Sequence, residues 1–513
     1  MKFISIFNDV LGPVMRGPSS SHTAGSYRIG KIAADLLGEK PVKAEFVFDP
    51  AGSYAKTYTQ QGADKAFAAG LTGMDLIDDN FKNILDTVKQ QNLEIQFEVE
   101  KLENPDHPNT VRIRLISKSG EELSVMGKST GGGGIEITGI NNWPVSIDGK
   151  YYEILVETDR EVRDKVLAEC REIIEYVTEI VHDINDISLL QYRCSGMNKG
   201  IFDPFNKKEG IRRIYLAESV FYTKKGEALF SSAEEMVKYA ETSGISLGEA
   251  ALAYEAELLG ISRDDAAAEM KNRFVVMKAS VFDGLENKNV NMQLLEPSAG
   301  KVMNELNSSK KLTGGIHSKA AVYALAAMHI SNSSGVVCAA PTGGSAGVIP
   351  GLIVALEEEW GLDSETIVDC LFAASAVGLI TAVRATFAAE VAGCQVEIGA
   401  AGAMASAAVV EALGGNAKQA ADAGAISYQN TMGSICDLVQ GICEIPCHTR
   451  NAAAASSAFV NADLILGGYD NPVPLDETID AVYSVGKMLP AELRCTALGG
   501  LAITPSAKNL CKK

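Results

Sequence analysis

Cysteines in the C-terminal half of the chain form a possible ligand set. Cys394, Cys436 and Cys447 lie among Gly, Ala and polar residues, as residues that line a site would. Converging thiolates are soft ligands that suit zinc or an iron–sulfur cluster. A cluster held by three protein ligands leaves one iron open, and an open iron can act as a Lewis acid in catalysis.

The spacing of these cysteines does not identify the ligands by itself. Cys443 lies between Cys436 and Cys447, so four thiols compete for the assignment. The pattern is neither CxxC…CxxC nor either common ferredoxin run. Buried free cysteines in a helical core are therefore the alternative, because Cys is among the residue types most often buried.

Two glycine- and hydroxyl-rich loops could bind a carboxylate. The first, GPSSSHT at residues 17–23, precedes an amphipathic helix that starts near Ala24. The second, PTGGSAG at residues 341–347, precedes an apolar run from Val348. Backbone N–H groups and the helix dipole favour anions at such places. For both loops the alternative is simple helix capping, by Ser21 or Thr23 in the first.

Two histidines are candidates for proton transfer, because an unperturbed imidazole titrates near neutral pH. His22 lies in the first loop, with a plain surface position as its alternative. His107 begins HPNT, just before a predicted strand, and a turn is the alternative there. Lys56 is the next candidate for a base, and is otherwise a solvated surface lysine.

Composition and charge limit the class of protein. With 513 residues, the chain is expected to form about two to four domains. A net charge of −19 argues against a nucleic-acid partner. The longest apolar run, residues 370–383, stops at Arg384 and is too short to cross a bilayer, and the N-terminus lacks a secretory pattern. We therefore expect a cytoplasmic protein with reduced thiols and no membrane partner.

The pattern of residues predicts an α+β multidomain fold. Short β-rich segments alternate with helical ones over residues 1–145, which predicts an α/β domain. A smaller α/β module is predicted over residues 146–225, with a polar helix from Arg160 to about Val181 and with His182 also in helix. Residues 226–513 predict an all-helical domain.

Three serines mark helix starts in this last part, Ser232, Ser246 and Ser262, each followed by an acid three residues later. Helices that are apolar all round, such as residues 400–413, predict a tightly packed centre. His329 lies in a predicted helix and is expected to be structural.

Several motifs in order give the chain a resemblance to iron–sulfur L-serine dehydratases with beta and alpha parts fused in one polypeptide. In the beta part these are GPSSSHT, GSYAKTY at residues 52–58, HPNT and GGGG at residues 131–134. In the alpha part they are AAPTGGSAGVIPG from Ala339, EVAGCQVEIG from Glu390, the segment 436–451 and LGGLA from Leu498.

The resemblance implies a [4Fe–4S] cluster with Cys394, Cys436 and Cys447 as fixed ligands, and no pyridoxal phosphate. In single-chain relatives a C-terminal cysteine can be a displaceable fourth ligand, which makes Cys511 the candidate here and Cys495 its rival. It further implies that L-serine is bound by the two loops and two asparagines, namely Ser19, Ser20, Ser21, Thr23, Asn109, Thr342, Gly343, Gly344, Ser345 and Asn451.

The implied reaction is removal of the Cα proton of L-serine by His22 or His107, with loss of the hydroxyl. Aminoacrylate results and hydrolyses to pyruvate and ammonia. A cysteine desulfidase is the nearest alternative, and a non-catalytic iron–sulfur protein is a more distant one. A homodimer is expected. Two departures are visible: Gln60-Gln61 stands where relatives tend to carry a histidine, and residues 146–225 have the outline of an ACT-like module without its usual motif.

Overall fold

Two sheets and a helical domain make up the fold, which confirms the predicted α+β multidomain class. The computed structural model describes residues 3–198, 200, 208–308 and 312–512. Within these residues a third, two-stranded sheet joins the N-terminal segment to the helical domain.

The first sheet has six strands in the order β3-β2-β4-β5-β6-β7, with only the β2–β3 pair parallel. Its core is formed by alternate inward-facing residues of the strands and the apolar faces of two long helices. The elements of this region are β1 (Val14–Arg16), α1 (Gly25–Leu37), β2 (Pro41–Phe48), α2 (Ser53–Thr57), α3 (Ala63–Thr72), α4 (Ile84–Gln90), β3 (Glu94–Val99), β4 (Thr110–Ser117), β5 (Glu122–Gly131), β6 (Gly134–Ile140) and β7 (Trp143–Ile147).

The second sheet has four antiparallel strands in the order β11-β8-β10-β9, with one helix packed against it. Its elements are β8 (Tyr152–Asp159), α5 (Arg163–Ile173), β9 (Thr178–Ile184), β10 (Ile187–Cys194) and β11 (Ile211–Ala217).

One prediction in this module is wrong. The helix expected to reach Val181 ends at Ile173, and His182 lies in strand β9. The residues of β9 include two isoleucines and a valine, and their pairing with β10 outweighs the helix propensity of the polar stretch before them.

The helical domain begins with the three capped helices predicted from the sequence. Ser232, Ser246 and Ser262 each accept a hydrogen bond from the backbone N–H three residues later. The elements are α6 (Ala233–Ser243), α7 (Leu247–Leu259), α8 (Arg263–Leu285), α9 (Ala299–Ser308), α10 (Gly315–Asn332), β12 (Val336–Cys338), α11 (Val348–Trp360), α12 (Ser364–Arg384), α13 (Ala389–Ala392), α14 (Ile398–Ala412), α15 (Ala417–Thr431), α16 (Cys447–Leu466), α17 (Leu475–Met488) and α18 (Pro505–Lys508).

Helix α14 lies at the centre of this domain, in contact with α11, α12, α15 and α16. It is rich in Ala and Gly, so neighbouring helices can approach closely on every side, as the apolar pattern predicted. Helix α12 is long and apolar enough to span a membrane by composition, but 83% of its apolar stretch is buried inside the protein. Helix α12 is therefore a buried core helix of this domain.

The N-terminal segment is attached to the helical domain by the carboxylate of Glu255 on α7. Its Oε1 accepts hydrogen bonds from Ser5 Oγ (2.5 Å) and Phe7 N (3.0 Å), and Oε2 accepts one from Ile6 N (2.7 Å). Burial raises the pKa of Glu255 to about 7, although these hydrogen bonds oppose the shift. The contact holds a short helical turn, Ile6–Val10, against the domain.

We predict that Glu255→Gln destabilises the protein by roughly 1–3 kcal/mol, because the amide nitrogen cannot accept the hydrogen bond that a carboxylate oxygen accepts. The raised pKa means that the folded state binds the Glu255 proton more tightly than the unfolded state. The stability gained from this proton is complete below about pH 4.5 and is lost as the pH rises through about 7.

The melting-temperature difference between wild type and Glu255→Gln should therefore be largest near pH 5 and smaller near pH 8. Glu257→Gln, an exposed position on the same helix, is the control and should melt like wild type. A difference that stays constant with pH would contradict the proposed role of the carboxyl proton.

Candidate active site

The two glycine- and hydroxyl-rich loops come together because the strands before them pair. Strands β1 and β12 are antiparallel, with Val14 opposite Cys338 and Arg16 opposite Val336. A Cβ on Gly343 would lie 2.9 Å from both the carbonyl oxygen of Pro18 and the amide nitrogen of Ser20. Only glycine permits this approach, so the sequence of the second loop is adapted to contact the first.

The first loop is a buried helical turn, Ser20–Ala24, that runs directly into α1. Ser19 caps it by accepting a hydrogen bond from the backbone N–H of His22 (3.3 Å). The capping alternative raised for Ser21 and Thr23 is wrong, because both side chains point elsewhere. Ser21 Oγ donates to Glu390 (2.7 Å), and Thr23 Oγ1 donates to the carbonyl oxygen of Gln61 (3.1 Å).

His22 is completely buried, and burial lowers its pKa to about 4 although the nearby Glu390 opposes the shift. Its Nε2 lies 2.9 Å from Thr57 Oγ1, and this hydroxyl donates its proton to the carbonyl oxygen of Ser53 (2.8 Å). Thr57 can therefore only accept from the ring, which assigns the ring proton to Nε2 and leaves a lone pair on Nδ1. The imidazole is neutral at pH 7.

Three polar side chains lie close to the lone pair of His22 Nδ1. Ser21 Oγ lies at 3.0 Å, Ser19 Oγ at 3.3 Å and Glu390 Oε1 at 3.6 Å. Burial tends to raise the pKa of Glu390, but His22, the Ser21 hydroxyl and the neighbouring Asn109 outweigh burial and lower it. An ionised carboxylate beside a neutral imidazole can stabilise positive charge that develops on the ring.

His107 and Asn109 adjoin the same carboxylate. The Nδ1 atom of His107 accepts a hydrogen bond from the backbone N–H of Asn109 (3.1 Å), so the remaining ring proton is on Nε2. Burial lowers the pKa of His107, with Glu390 opposing. Asn109 is fully buried and lies close enough to Glu390 to lower the pKa of that carboxyl, but among the described residues neither polar atom of its amide has a partner at hydrogen-bond distance and angle. A buried, unpaired amide is costly, and it suits a ligand that supplies the partner.

The two hydroxyl side chains of the second loop bond to each other's backbone within the loop. Thr342 and Ser345 form a reciprocal capping box around the turn Gly343–Ser345, which confirms the capping alternative for these two side chains. Asn451 on α16 holds the second loop in position through two hydrogen bonds. Its amide donates to the carbonyl oxygen of Gly344 (2.9 Å) and accepts from the N–H of Gly347 (3.1 Å). Both polar atoms of Asn451 are thus used to position the loop.

The thiols lie next to this loop. The ligand atoms of Cys394, Cys436 and Glu397 are all within 4.8 Å of one another, a spacing that could hold a metal ion. Burial, together with Cys394 and Glu390, raises the pKa of Glu397 well above its ordinary value, although Thr342 opposes the shift. Both carboxyl oxygens of Glu397 would lie 3.6 Å from a Cβ on Gly344. Glu397 therefore connects the thiols to the second loop.

Arg450 supplies positive charge to these thiols. Its Nη1 lies 3.8 Å from Cys394 Sγ and donates to the carbonyl oxygen of Ile435 (2.9 Å). Burial tends to lower the pKa of Arg450, but the surrounding thiols and Asp437 outweigh this and raise it. A hydrogen bond with Cys436 and the charge of Arg450 lower the pKa of the Cys394 thiol. A thiolate at Cys394 is thereby favoured.

The other cysteines divide into buried and exposed. Cys447, the third predicted ligand, begins α16 beside Cys443 and lies outside the group formed by Cys394, Glu397 and Cys436. Cys495 is buried beside Cys436, and its backbone N–H donates to the Cys436 carbonyl oxygen (3.0 Å). Cys511 is exposed in the C-terminal segment, next to Leu510, whose carbonyl oxygen accepts from Gln440 (2.7 Å).

Sequence reasoning did not assign roles to several residues of this site: Thr57, Glu390, Glu397 and Arg450. Both acids lie in the EVAGCQVEIG motif around Cys394, so carboxylates close to a suspected ligand were the available signal. Lys56 is exposed on α2, and it therefore lacks the desolvation that a lysine base requires. Gln61 is buried with its amide 3.9 Å from Cys495 Sγ.

Comparisons with known proteins identify the family of two regions of the chain. The family model "Serine dehydratase alpha chain" matches residues 222–502, and the model "Serine dehydratase beta chain" matches residues 9–138.

Individual relatives match either one part or the whole chain. A probable L-serine dehydratase alpha chain of Bacillus subtilis is 37% identical over 56% of this chain and 95% of its own length. The probable beta chain from the same organism is 42% identical over 30% of this chain and 69% of its own length. An L-serine dehydratase of Streptomyces coelicolor is 26% identical over 98% of both chains. The chain therefore belongs to the serine dehydratase family, with the alpha and beta regions in one polypeptide.

Proposed function

We propose that this protein is an L-serine ammonia-lyase that converts L-serine to pyruvate and ammonia. The observation that carries the proposal is a buried site in which a neutral His22, an ionised Glu390 and an unpaired Asn109 amide adjoin a group of thiols. An elimination assisted by a metal requires a proton acceptor, a group that binds the carboxylate or amino group of the substrate, and soft ligands for the metal.

Cys394, Cys436 and Cys447 are proposed to hold a [4Fe–4S] cluster, with no pyridoxal phosphate. The residues present fit such a group: the thiols are buried and free, and Arg450 offsets the charge that several thiolates would bring. When bound, the cluster would supply a Lewis acid that polarises the serine hydroxyl.

Substrate binding is proposed to use the first loop and Asn109. The unpaired Asn109 amide can donate to the serine carboxylate and accept from the amino group. The proposed binding residues are Ser19, Ser20, Ser21 and Thr23 of the first loop and Thr342, Gly343, Gly344 and Ser345 of the second. All eight are buried, and Gly343 contacts the first loop, which supports the proposal. Asn451 acts through the second loop, since its own polar atoms are already paired.

His22 is the proposed base. Its Nδ1 lone pair is available at neutral pH, whereas the Nδ1 lone pair of His107 already accepts the Asn109 N–H. Thr57 fixes the His22 tautomer, and Glu390 would stabilise the imidazolium formed when the ring takes the Cα proton. His107 keeps an Nε2 proton that it can donate, which suits a role in binding the carboxylate.

The chemistry balances without a redox step. Loss of the Cα proton and the hydroxyl removes one water from L-serine and gives aminoacrylate. Aminoacrylate tautomerises and takes up one water, which releases ammonia and leaves pyruvate. We further propose a cytoplasmic homodimer.

The test is pyruvate release from L-serine by protein reconstituted anaerobically with iron and sulfide, compared with protein that received neither. Pyruvate formation only after reconstitution supports the proposal. A cysteine desulfidase would instead release sulfide from L-cysteine faster than it releases pyruvate from L-serine. A non-catalytic iron–sulfur protein would form neither product.

We predict that Cys394→Ala, Cys436→Ala and Cys447→Ala each abolish both the iron–sulfur absorption and the activity, because three thiolates are needed to retain a cluster. Cys443→Ala is the matched control. It removes a buried thiol hydrogen-bonded to Cys447 and should keep absorption and activity. A colourless Cys443→Ala variant beside a normal Cys436→Ala variant would contradict the ligand assignment.

We predict that His22→Ala lowers kcat by roughly two to four orders of magnitude, the usual contribution of one general base, and leaves the iron content unchanged. Because burial lowers the pKa of His22 to about 4, the activity of the wild type should fall on the acid side only near that pH. His107→Ala is the control, and it should retain exchange of the Cα proton of serine in deuterated solvent. If His22→Ala retains exchange of the Cα proton and His107→Ala loses it, His107 and not His22 is the base.

The fourth cluster ligand is tested with Cys511→Ser and Cys495→Ser. The resemblance predicts Cys511, whereas Cys495 already lies beside Cys436. If the C-terminal cysteine occupies the open iron at rest, Cys511→Ser should change the resting cluster spectrum and the KM for serine without loss of iron. The same changes in Cys495→Ser, with Cys511→Ser like wild type, would assign the position to Cys495.

A further inference from the structure

A cavity of about 520 Å³ lies where the N-terminal region meets the helical domain. Its walls come from the N-terminal segment, helix α1, residues 219–222 and helix α8. None of its lining residues belongs to the two loops or to the thiol group. It is therefore a separate site, and its occupancy does not depend on the proposed function.

Arg28 on α1 lines this cavity with a buried guanidinium. The residue is 8% exposed, and its one hydrogen bond runs from Nη1 to the carbonyl oxygen of Gly133 (2.7 Å). Across the described part of the chain, no carboxylate forms an ion pair with it. Its guanidinium lies 3.9 Å from the ring centroid of Phe221. Burial lowers the pKa of Arg28 to about 10, although the charge of Asp9 opposes the shift, and Arg28 is still charged at pH 7.

Arg273 on α8 faces the same cavity from the other side. It is 5% exposed, and its Nη2 lies 2.9 Å from Glu269 Oε1, while Nη1 donates to the carbonyl oxygen of Leu11. Its Nε–H is buried without a hydrogen-bond partner. A buried guanidinium usually has all its donors engaged, so this donor is available to a ligand oxygen.

The remaining lining residues determine the charge and size of a ligand. Lys31 also lines the cavity but is paired with Asp35 (3.5 Å) and Glu218 (3.8 Å), and Glu269 is paired with Arg273. Among the described residues, Arg28 is therefore the lining cation without an ion pair, and Asp75 is the further lining acid. The rest of the lining is largely apolar or aromatic, with Tyr27 and Phe221 among its larger side chains. A polyphosphate would be under-neutralised here, whereas one carboxylate on an apolar body matches both features.

We propose that this cavity binds a small monocarboxylate with an apolar body, whose carboxylate lies between Arg28 and Arg273. Such a ligand would connect α1 to α8 and so join the N-terminal region to the helical domain. It would also give Arg28 an ion pair, which it lacks among the described residues. Nothing in this proposal requires a cluster or an active enzyme.

The probe is sodium benzoate, titrated calorimetrically into the full-length protein, with benzamide as an uncharged analogue and inorganic phosphate as a compact anion. Benzoate should bind at one site, and benzamide and phosphate should bind more weakly. Arg28→Met should raise the benzoate Kd about tenfold or more, the usual effect of losing a charge-assisted hydrogen bond. Arg28→Lys keeps the charge and should raise it less.

Arg213→Met is the matched control, because Arg213 also lies over an aromatic ring, Tyr215, but outside the cavity. It should bind benzoate like wild type. No saturable benzoate binding, or equal affinity of wild type and Arg28→Met, would overturn the proposal. Equal binding of benzamide would exclude an anion site, and tighter binding of phosphate would exclude the apolar ligand class. If Arg28→Met fails to fold, Arg273→Lys, which removes the unpaired Nε–H, replaces it, and an unchanged Kd in that variant would overturn the proposal.

Discussion

The pairing of β1 with β12 is the constraint on which the active-site geometry depends. It joins residues that are more than 300 positions apart in the chain, and each strand leads into one of the two loops. Gly17 and Gly343 have no side chains at the points where the backbones would otherwise collide. A side chain at Gly343 would have to separate the loops, whereas one at Gly17 would displace the first loop from Ser331 on α10. Either change would open the space proposed for the substrate to water.

Buried charge is the second feature that organises the molecule. Three buried acids have identifiable neighbours: Glu390 accepts from Ser21, Glu397 adjoins Thr342, and Glu255 accepts three donors of the N-terminal segment. Glu390 and Glu397 also differ in the direction of their pKa shifts: the pKa of Glu390 is lowered, and that of Glu397 is raised. Such separation between neighbouring carboxyls is typical of sites that carry out acid–base chemistry.

The contact between the N-terminal region and the helical domain is connected to the active site through helix α1. Helix α1 carries His22 in the turn before it and Arg28 along its length. Arg28 donates to Gly133, and a Cβ on the neighbouring Gly131 would lie 2.6 Å from the amide nitrogen of Ala388, two residues before Glu390. A ligand held by Arg28 would therefore contact the same helix that carries the proposed base.

The sequence by itself determined the fold class, the three capped helices, the buried centre of the helical domain and the family, because these depend on local capping, periodicity and motif order. It also located the cysteines and loops, and it led to a wrong helix at His182, where strand pairing overrode local propensity. Only the tertiary structure decided the tautomer of His22, its contact with Glu390 and the position of Cys495 beside Cys436. These depend on which distant side chains share one buried volume, and that is set by long-range pairing and packing.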